Sequence, residues 1–109
     1  MAAKAAKHTE RLQLRIPSKC EPVVQLTGEG SAAYIYLNRG AKYARTITKS
    51  TWPVLTIDVA EDGSVIGIES IGFKEITFTA IMEKAGLKAP TGMAGRAKYM
   101  VAERELAAA

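Results

Sequence analysis

The fold is decided by residues 54–71, which read Val54-Leu-Thr-Ile-Asp-Val-Ala-Glu-Asp-Gly-Ser-Val-Ile-Gly-Ile-Glu-Ser-Ile71. Leu55, Ile57 and Val59 alternate with polar residues, and this period of two is typical of a strand with one buried face. Asp62-Gly63 is a pair favoured in tight hairpin turns, where both central residues take positive φ. The stretch therefore predicts an antiparallel β-hairpin.

A second hairpin is predicted upstream of the first. Residues 32–37 alternate between an apolar face and a face that carries Tyr34 and Tyr36. A compact turn follows at residues 38–40, and residues 42–48 alternate again. Two such runs joined by a few residues that include Gly predict a hairpin.

The segments on either side complete the predicted architecture. An alternating run that ends before Pro17 predicts a short strand over residues 12–16. The spacing changes after Phe73 and predicts a helix over residues 75–85, which Gly86 ends. We therefore expect an α+β protein, with an antiparallel sheet of four to five strands formed by two hairpins and a C-terminal helix packed on one face.

The domain organisation follows from the length and from these elements. A chain of 109 residues fits one domain. We predict a flexible basic tail over residues 1–10, a single α+β domain over residues 11–87, and a linker with a short C-terminal helix over residues 88–109. The short helix is expected at residues 96–106, where the apolar residues recur.

Composition argues against several classes of protein. The hydrophobic fraction of 48% argues against a disordered chain. No apolar run approaches the roughly 20 residues that span a bilayer. Lys4 and Lys7 are not followed by the apolar stretch of a secretory signal, and the single cysteine, Cys20, cannot form an internal disulfide. We expect a cytoplasmic protein without a membrane partner.

Part of the chain resembles a known family. The residues that carry the resemblance are Ser31-Ala-Ala-Tyr-Ile-Tyr-Leu37, Val54-Leu-Thr-Ile-Asp-Val59, Asp62-Gly-Ser-Val-Ile-Gly-Ile-Glu69 and Ile71. This pattern, over about residues 26–72, is similar to short bacterial and phage proteins catalogued as domain of unknown function family 2283. Gly67-Ile68-Glu69 is its most specific part, whereas the Asp-rich segment usual before the first strand is reduced here to Glu29. The resemblance implies a small sheet protein with a helix at its end and no accepted activity or cofactor. For some members it implies partnership with small toxin-like proteins.

No catalytic or metal-binding constellation is evident. His8, the single histidine, lies in the predicted tail, where no nucleophile is expected beside it. Cys20 has no second cysteine and no nearby histidine, so a zinc site lacks ligands. Asp58 and Glu69 are the candidate carboxylate pair, but general acid–base work would require one of them to be buried. Asp62 is expected to form part of the turn of the hairpin at residues 54–71 rather than a catalytic site. We predict that the protein is not an enzyme and has no cofactor or metal.

Six residues are candidates for an interaction or nucleic-acid face: Tyr34, Tyr36, Arg45, Lys49, Arg96 and Lys98. The first four predict an aromatic and basic sheet face, which suits a protein interface or the stacking of bases. The last two lie beside Gly92-Met-Ala-Gly95, which is either a turn able to cradle phosphate or a flexible linker.

Three functions are compatible with these features. A non-catalytic protein-interaction module, homodimeric, is preferred, because a small sheet leaves unpaired edges and a tyrosine face. The alternative is a nucleic-acid-binding accessory protein that uses the Tyr34/Tyr36 face and the basic residues 1–50, whose net charge is +6. The third is a small enzyme or ligand binder that uses Asp58 and Glu69, which would need a pocket.

Overall fold

One sheet of six strands dominates the computed structural model, which describes residues 14–27 and 31–101. The elements are β1 (Val23–Leu26), β2 (Ala32–Tyr36), β3 (Tyr43–Thr51), β4 (Val54–Ala60), β5 (Val65–Ile71), α1 (Phe78–Ala85), α2 (Met93–Arg96) and β6 (Lys98–Val101). The strand order is β3-β4-β5-β2-β1-β6. Every neighbouring pair is antiparallel except β1 and β6, which are parallel. The predicted α+β class and mainly antiparallel sheet are confirmed, with more strands than the four to five expected.

The hairpin predicted over residues 54–71 is present as β4 and β5, with Ile57 opposite Ile68. Its turn differs from the expected type, because Gly63 has a φ of 90° whereas Asp62 does not have a positive φ. The Asp62 carboxylate instead accepts hydrogen bonds from the backbone N–H of Ser64 at 2.9 Å and from its hydroxyl at 2.7 Å. The side chain of Asp62 thus stabilises the turn, as is typical of aspartate in this position.

The hairpin predicted between residues 32–37 and 42–48 is wrong. β2 pairs with β1 and β5, whereas β3 pairs with β4 around a turn at Trp52 and Pro53. The physical reason lies in burial, because β2 alternates between buried and half-buried residues while most of β3 is exposed. A strand buried in this way belongs in the middle of the sheet, and a polar strand rich in threonine and basic residues suits an edge.

Helix α1 packs on one face of the sheet and begins three residues later than predicted. Thr77 caps it by accepting a hydrogen bond from the Ala80 N–H at 3.1 Å. Glu75 therefore lies before the cap rather than in the first turn. Gly86 ends the helix with a φ of 74°, as predicted.

The hydrophobic core lies between the sheet and the two helices. Its members are Val24, Ala33, Ile35, Leu37, Leu55, Ile57, Val59, Val65, Ile68, Phe78, Ile81, Met82, Ala85 and Met93. The apolar alternation predicted for 32–37 and 54–59 supplies the sheet side of this core, so those face assignments are confirmed. Both helices lie on this side of the sheet, because Phe78 and Ile81 of α1 and Met93 of α2 belong to the same cluster.

The two ends of the described chain differ from expectation. Residues 98–101 form β6 of the same sheet, so the helix predicted over residues 96–106 is wrong there, and its remaining residues lie outside the described part. Residue Arg15 makes one bridge to Ser64 rather than a strand over residues 12–16, of which residues 12 and 13 are outside the described range. The tail at residues 1–10, with His8, also lies outside it.

Candidate interaction surface

The sheet face that is turned away from α1 and α2 forms the candidate site, here called the open face. Strand register assigns to it Val23, Gln25, Tyr34, Tyr36, Thr46, Thr48, Thr56, Asp58, Gly67, Glu69, Lys98 and Met100. The assignment follows because directly opposed residues share a face, and Thr56 and Asp58 alternate with the buried Leu55, Ile57 and Val59. Within residues 14–27 and 31–101, both helices pack on the other face.

Tyr34 is the central side chain of the open face. It extends from β2 across β5 to β4, where its hydroxyl donates a hydrogen bond to Asp58 Oδ2 at 2.6 Å. The ring passes over Gly67, and a Cβ at that position would overlap the ring. Gly67 is therefore required here because it lets an aromatic ring approach the backbone closely. Burial and the hydrogen bond to Asp58 raise the pKa of Tyr34 far above its usual value.

A short chain of hydrogen bonds continues from Asp58 to the edge strand. Thr46 Oγ1 donates to Asp58 Oδ1 at 2.6 Å, and the Tyr43 hydroxyl lies 2.8 Å from the same Thr46 oxygen. Since the Thr46 proton is directed at Asp58, the Tyr43 hydroxyl is the donor to Thr46. Each Asp58 oxygen thus has a hydroxyl partner, which satisfies the carboxylate without a cation.

Tyr36 lies beside Tyr34, with the two ring centroids 4.6 Å apart and the rings tilted by 52°. The guanidinium carbon of Arg39 is 4.1 Å from the centroid of the Tyr36 ring, which is a cation–π contact. Two tyrosines and an arginine therefore form one continuous patch. These are residue types enriched at protein interfaces.

The structure separates the four residues predicted to form one aromatic and basic face. Tyr34 and Tyr36 share the open face, but Arg45 is opposite the buried Val59 and so lies on the helix side. Lys49 is also on that side, because its Nζ is 3.9 Å from the position that a Cβ on Gly86 would occupy at the end of α1. Arg45 and Lys49 therefore do not accompany the tyrosines.

Arg96 and Lys98 fall at the other end of the sheet. Arg96 donates a hydrogen bond to the carbonyl oxygen of Ser18 at 2.9 Å, which links α2 to the segment that precedes β1. Lys98 belongs to the open face, and its Nζ is 3.9 Å from Glu21 Oε1, with both side chains exposed. Each of the two basic residues thus has a partner within the chain, a backbone carbonyl for Arg96 and an exposed carboxylate for Lys98.

Asp58 and Glu69 do not form a facing carboxylate pair. Asp58 is opposite Gly67, whereas Glu69 is opposite Thr56 and is exposed. A groove of about 310 Å³ does exist, but it lies beside α1 and is lined by residues such as Phe78, Met82 and Leu87. It is therefore on the opposite side of the sheet from both carboxylates.

The described residues contain no group of three or more His, Cys, Asp or Glu side chains arranged to hold a metal ion. Cys20 is a half-buried free thiol, and burial raises its pKa, an effect that Arg96 partly offsets. None of the helices in residues 14–27 and 31–101 is long and apolar enough to cross a membrane.

Strand β6 is the exposed feature that the sequence interpretation missed. Tyr99, Met100 and Val101 are consecutive and keep 49%, 54% and 49% of their surface exposed. The sequence does contain a signal for this strand, because Tyr99-Met-Val101 is a run of residues with strand preference. The Tyr99 hydroxyl accepts a hydrogen bond from the Phe78 N–H at 2.8 Å, which fixes its ring beside α1.

Comparison with protein-family models, curated proteins and solved structures finds no match to this chain. The resemblance of about residues 26–72 to the domain of unknown function family therefore stays a prediction.

Proposed function

We propose that this protein is a non-catalytic protein-interaction module that works as a homodimer and presents the open face to a protein partner. The observation that carries the proposal is the patch of Tyr34, Tyr36 and Arg39 on a sheet face that neither described helix covers. Tyrosine and arginine supply large contact area together with hydrogen-bonding groups, which is why they are common in the centre of interfaces.

The rigidity of the patch supports the same proposal. The Tyr34 hydroxyl is held by Asp58, and the Tyr36 ring contacts both Tyr34 and Arg39. Side chains that are already ordered lose little conformational entropy when a partner binds. A preorganised aromatic patch is therefore suited to recognition.

The charge around the patch favours protein over nucleic acid. On the open face the two carboxylates, Asp58 and Glu69, equal in number the two cations, Arg39 and Lys98. Arg45 and Lys49 lie on the opposite side. Base-stacking surfaces combine aromatic rings with a positive groove that follows the phosphates. Carboxylates beside the rings oppose that arrangement, so nucleic-acid binding is the weaker alternative.

The first test is the solution mass of the full chain by light scattering, with and without a single-stranded oligonucleotide at low salt. The expected result is about twice the chain mass of 11.7 kDa, unchanged by the oligonucleotide. A monomer that gains mass with the oligonucleotide and loses it at high salt would instead support the nucleic-acid alternative.

A second test concerns the open face and has a matched control within the chain. Arg39→Ala removes the guanidinium over Tyr36, whereas Arg45→Ala removes an arginine from the helix side. A protein partner crosslinked to the wild type should be lost with Tyr36→Ala and with Arg39→Ala and kept with Arg45→Ala. Equal retention by all three variants would contradict use of the open face.

A further inference from the structure

We propose that the outer edge of β6 pairs with β6 of a second copy, antiparallel, with Met100 of each chain opposite Met100 of the other. This inference rests on the proposed function, because it assigns the contact through which the homodimer forms. The resulting sheet would run continuously through both copies.

The backbone of β6 has hydrogen-bonding groups that point away from the sheet. The Lys98 N–H bonds to the Pro22 carbonyl oxygen at 2.9 Å, so Lys98 directs its backbone groups toward β1. Alternate residues of a strand direct their groups to opposite edges, which places those of Met100 toward β1 and those of Tyr99 and Val101 outward. An edge of this kind is a template for pairing with another strand.

The two edges of the sheet are built differently. β3, at the far edge, has register shifts between Tyr43 and Arg45 and between Thr48 and Ser50. Bulges and basic side chains are the usual devices that prevent edge pairing. β6 pairs with β1 without a register shift, and its single charge, Lys98, is beside Glu21. The protection that β3 shows is therefore missing from β6.

The sequence of β6 is complementary to itself in one register. When two copies of one strand pair antiparallel in a continuous sheet, the two-fold axis is perpendicular to the sheet, and opposed residues share a face. One residue is then opposite its own copy, and the numbers of every opposed pair add up to twice the number of that residue. When Met100 is opposite Met100, Tyr99 of each chain is opposite Val101 of the other chain, which gives two such pairs. Both residues direct their backbone groups outward, so these pairs make four hydrogen bonds. Aromatic and β-branched residues are a favourable cross-strand pair.

Neighbouring registers are less favourable. Pairing Val101 with Val101 would leave only that single opposed pair within β6, which ends at Val101. Pairing Tyr99 with Tyr99 would place Lys98 opposite Met100 and would separate Tyr99 from Val101. The Met100-centred register pairs all three residues Tyr99, Met100 and Val101, and it does not place the single charge of β6, Lys98, opposite another residue of β6.

The geometry has a consequence for the open face. A two-fold axis perpendicular to the sheet leaves both open faces on the same side, with all the helices on the other. Two tyrosine patches would then face the same partner, and a bivalent partner binds more tightly than a monovalent one by effective concentration.

Disulfide crosslinking tests the pairing and its register. In a Cys20→Ser background, Met100→Cys places two thiols opposite each other in a non-hydrogen-bonded pair, whose Cα separation of about 4.5 Å permits a disulfide. We expect mild oxidation to convert most of this variant to a covalent dimer. Lys98→Cys is the matched control on the same strand and face, and it should remain largely uncrosslinked because in this register the two copies of residue 98 are not opposite each other.

A proline variant provides an independent measurement. Val101→Pro removes an outward N–H that β1 does not use, so the fold should persist while the dimer dissociation constant rises about tenfold or more, since two of the four hydrogen bonds are lost. Retained circular dichroism with weaker dimerisation supports the pairing. An unchanged dissociation constant overturns it.

The outcomes separate this inference from the proposed function. A wild-type dimer in which Met100→Cys does not crosslink overturns the β6 pairing and leaves the homodimer in place. Preferred crosslinking of Tyr99→Cys overturns the Met100-centred register. A wild-type chain that is monomeric at all concentrations overturns both proposals.

Discussion

Tyr34 and Gly67 form a single structural unit, because the Tyr34 ring occupies the space that a side chain at position 67 would fill. The hydroxyl reaches Asp58 on β4 only by crossing β5 at this glycine. Three strands are thereby joined by one side chain on the open face. Gly67 is the first residue of the Gly67-Ile68-Glu69 segment, and the close approach of the Tyr34 ring explains why a glycine occupies this position.

Gly67→Ala is expected to destabilise the protein by about 1–3 kcal/mol, because the added methyl group overlaps the Tyr34 ring and forces it to move. Chemical denaturation measures the change. Gly40→Ala is the matched control, since nothing lies within 4 Å of the new Cβ, and it should change stability by less than about 0.5 kcal/mol. The cost at position 67 should fall in a Tyr34→Ala background, and an undiminished cost there would show that the ring is not the obstacle.

Tyr34→Phe is expected to cost about 1–2 kcal/mol, because it removes a hydrogen bond to a carboxylate and leaves one Asp58 oxygen without its hydroxyl partner. Thermal or urea unfolding checks this value. Tyr43→Phe is the control on the same network, and it should cost less because its contact with Thr46 is exposed. Equal losses for both variants would contradict the central role given to Tyr34.

Stability should decline at alkaline pH through Tyr34. Its folded-state pKa is raised by burial and by Asp58, so the folded protein holds this proton more strongly than the unfolded chain. The stabilisation is fully present below about pH 10, where free tyrosine titrates, and is lost as pH rises toward the folded pKa. Absorbance titration should show one of the four tyrosines ionising late, and that late step should vanish in Tyr34→Phe. A wild type whose tyrosines all ionise near the free value would contradict this prediction.

The turn at Asp62 should respond to acid. Hydrogen bonds from the backbone and hydroxyl of Ser64 hold the pKa of Asp62 below its usual value. Its contribution to stability is therefore present above the unfolded pKa and is lost as pH falls through the lower folded value. In an NMR titration, Ser64→Ala should move the Asp62 midpoint upward, whereas Ser50→Ala should leave it in place. A midpoint unmoved by Ser64→Ala would be inconsistent with the turn geometry.

The sequence was most informative where the interactions are local. The hairpin of β4 and β5 has its turn and both of its strands within eighteen consecutive residues, so residues 54–71 predict it. The buried face of β2 follows from Ala33, Ile35 and Leu37 in the same way. Helix α1 was also predicted in place, apart from its first turn, where the Thr77 cap fixes the start.

Strand order could not be obtained from local signals. The turn at residues 38–40 predicts that the strands on its two sides are neighbours, but the backbone N–H groups of Leu37 and Asn38 bond to Ile66 of β5. The same assumption leads to the wrong expectation that Arg45 and Lys49 lie on the face that carries the two tyrosines. Arg45 and Lys49 are each two residues away from Ile47, which packs against the core. Because residues two apart on a strand share a face, this spacing is the signal in the sequence that places both residues on the helix side.

The long-range contacts of the candidate site were beyond sequence reasoning. The approach of Tyr34 to Asp58 depends on two strands that are separated by a third and by 24 residues of chain. The strand identity of β6 likewise depends on the free edge of β1, since four residues form a stable strand only when a neighbour supplies hydrogen bonds.

The most direct test of a homodimer formed through β6 is amide hydrogen exchange along this strand at several protein concentrations. We expect the amides of Tyr99 and Val101, which point away from β1, to become protected as concentration rises, while Met100 stays protected throughout by β1. Rapid exchange of Tyr99 and Val101 at every concentration would contradict a homodimer formed through this edge.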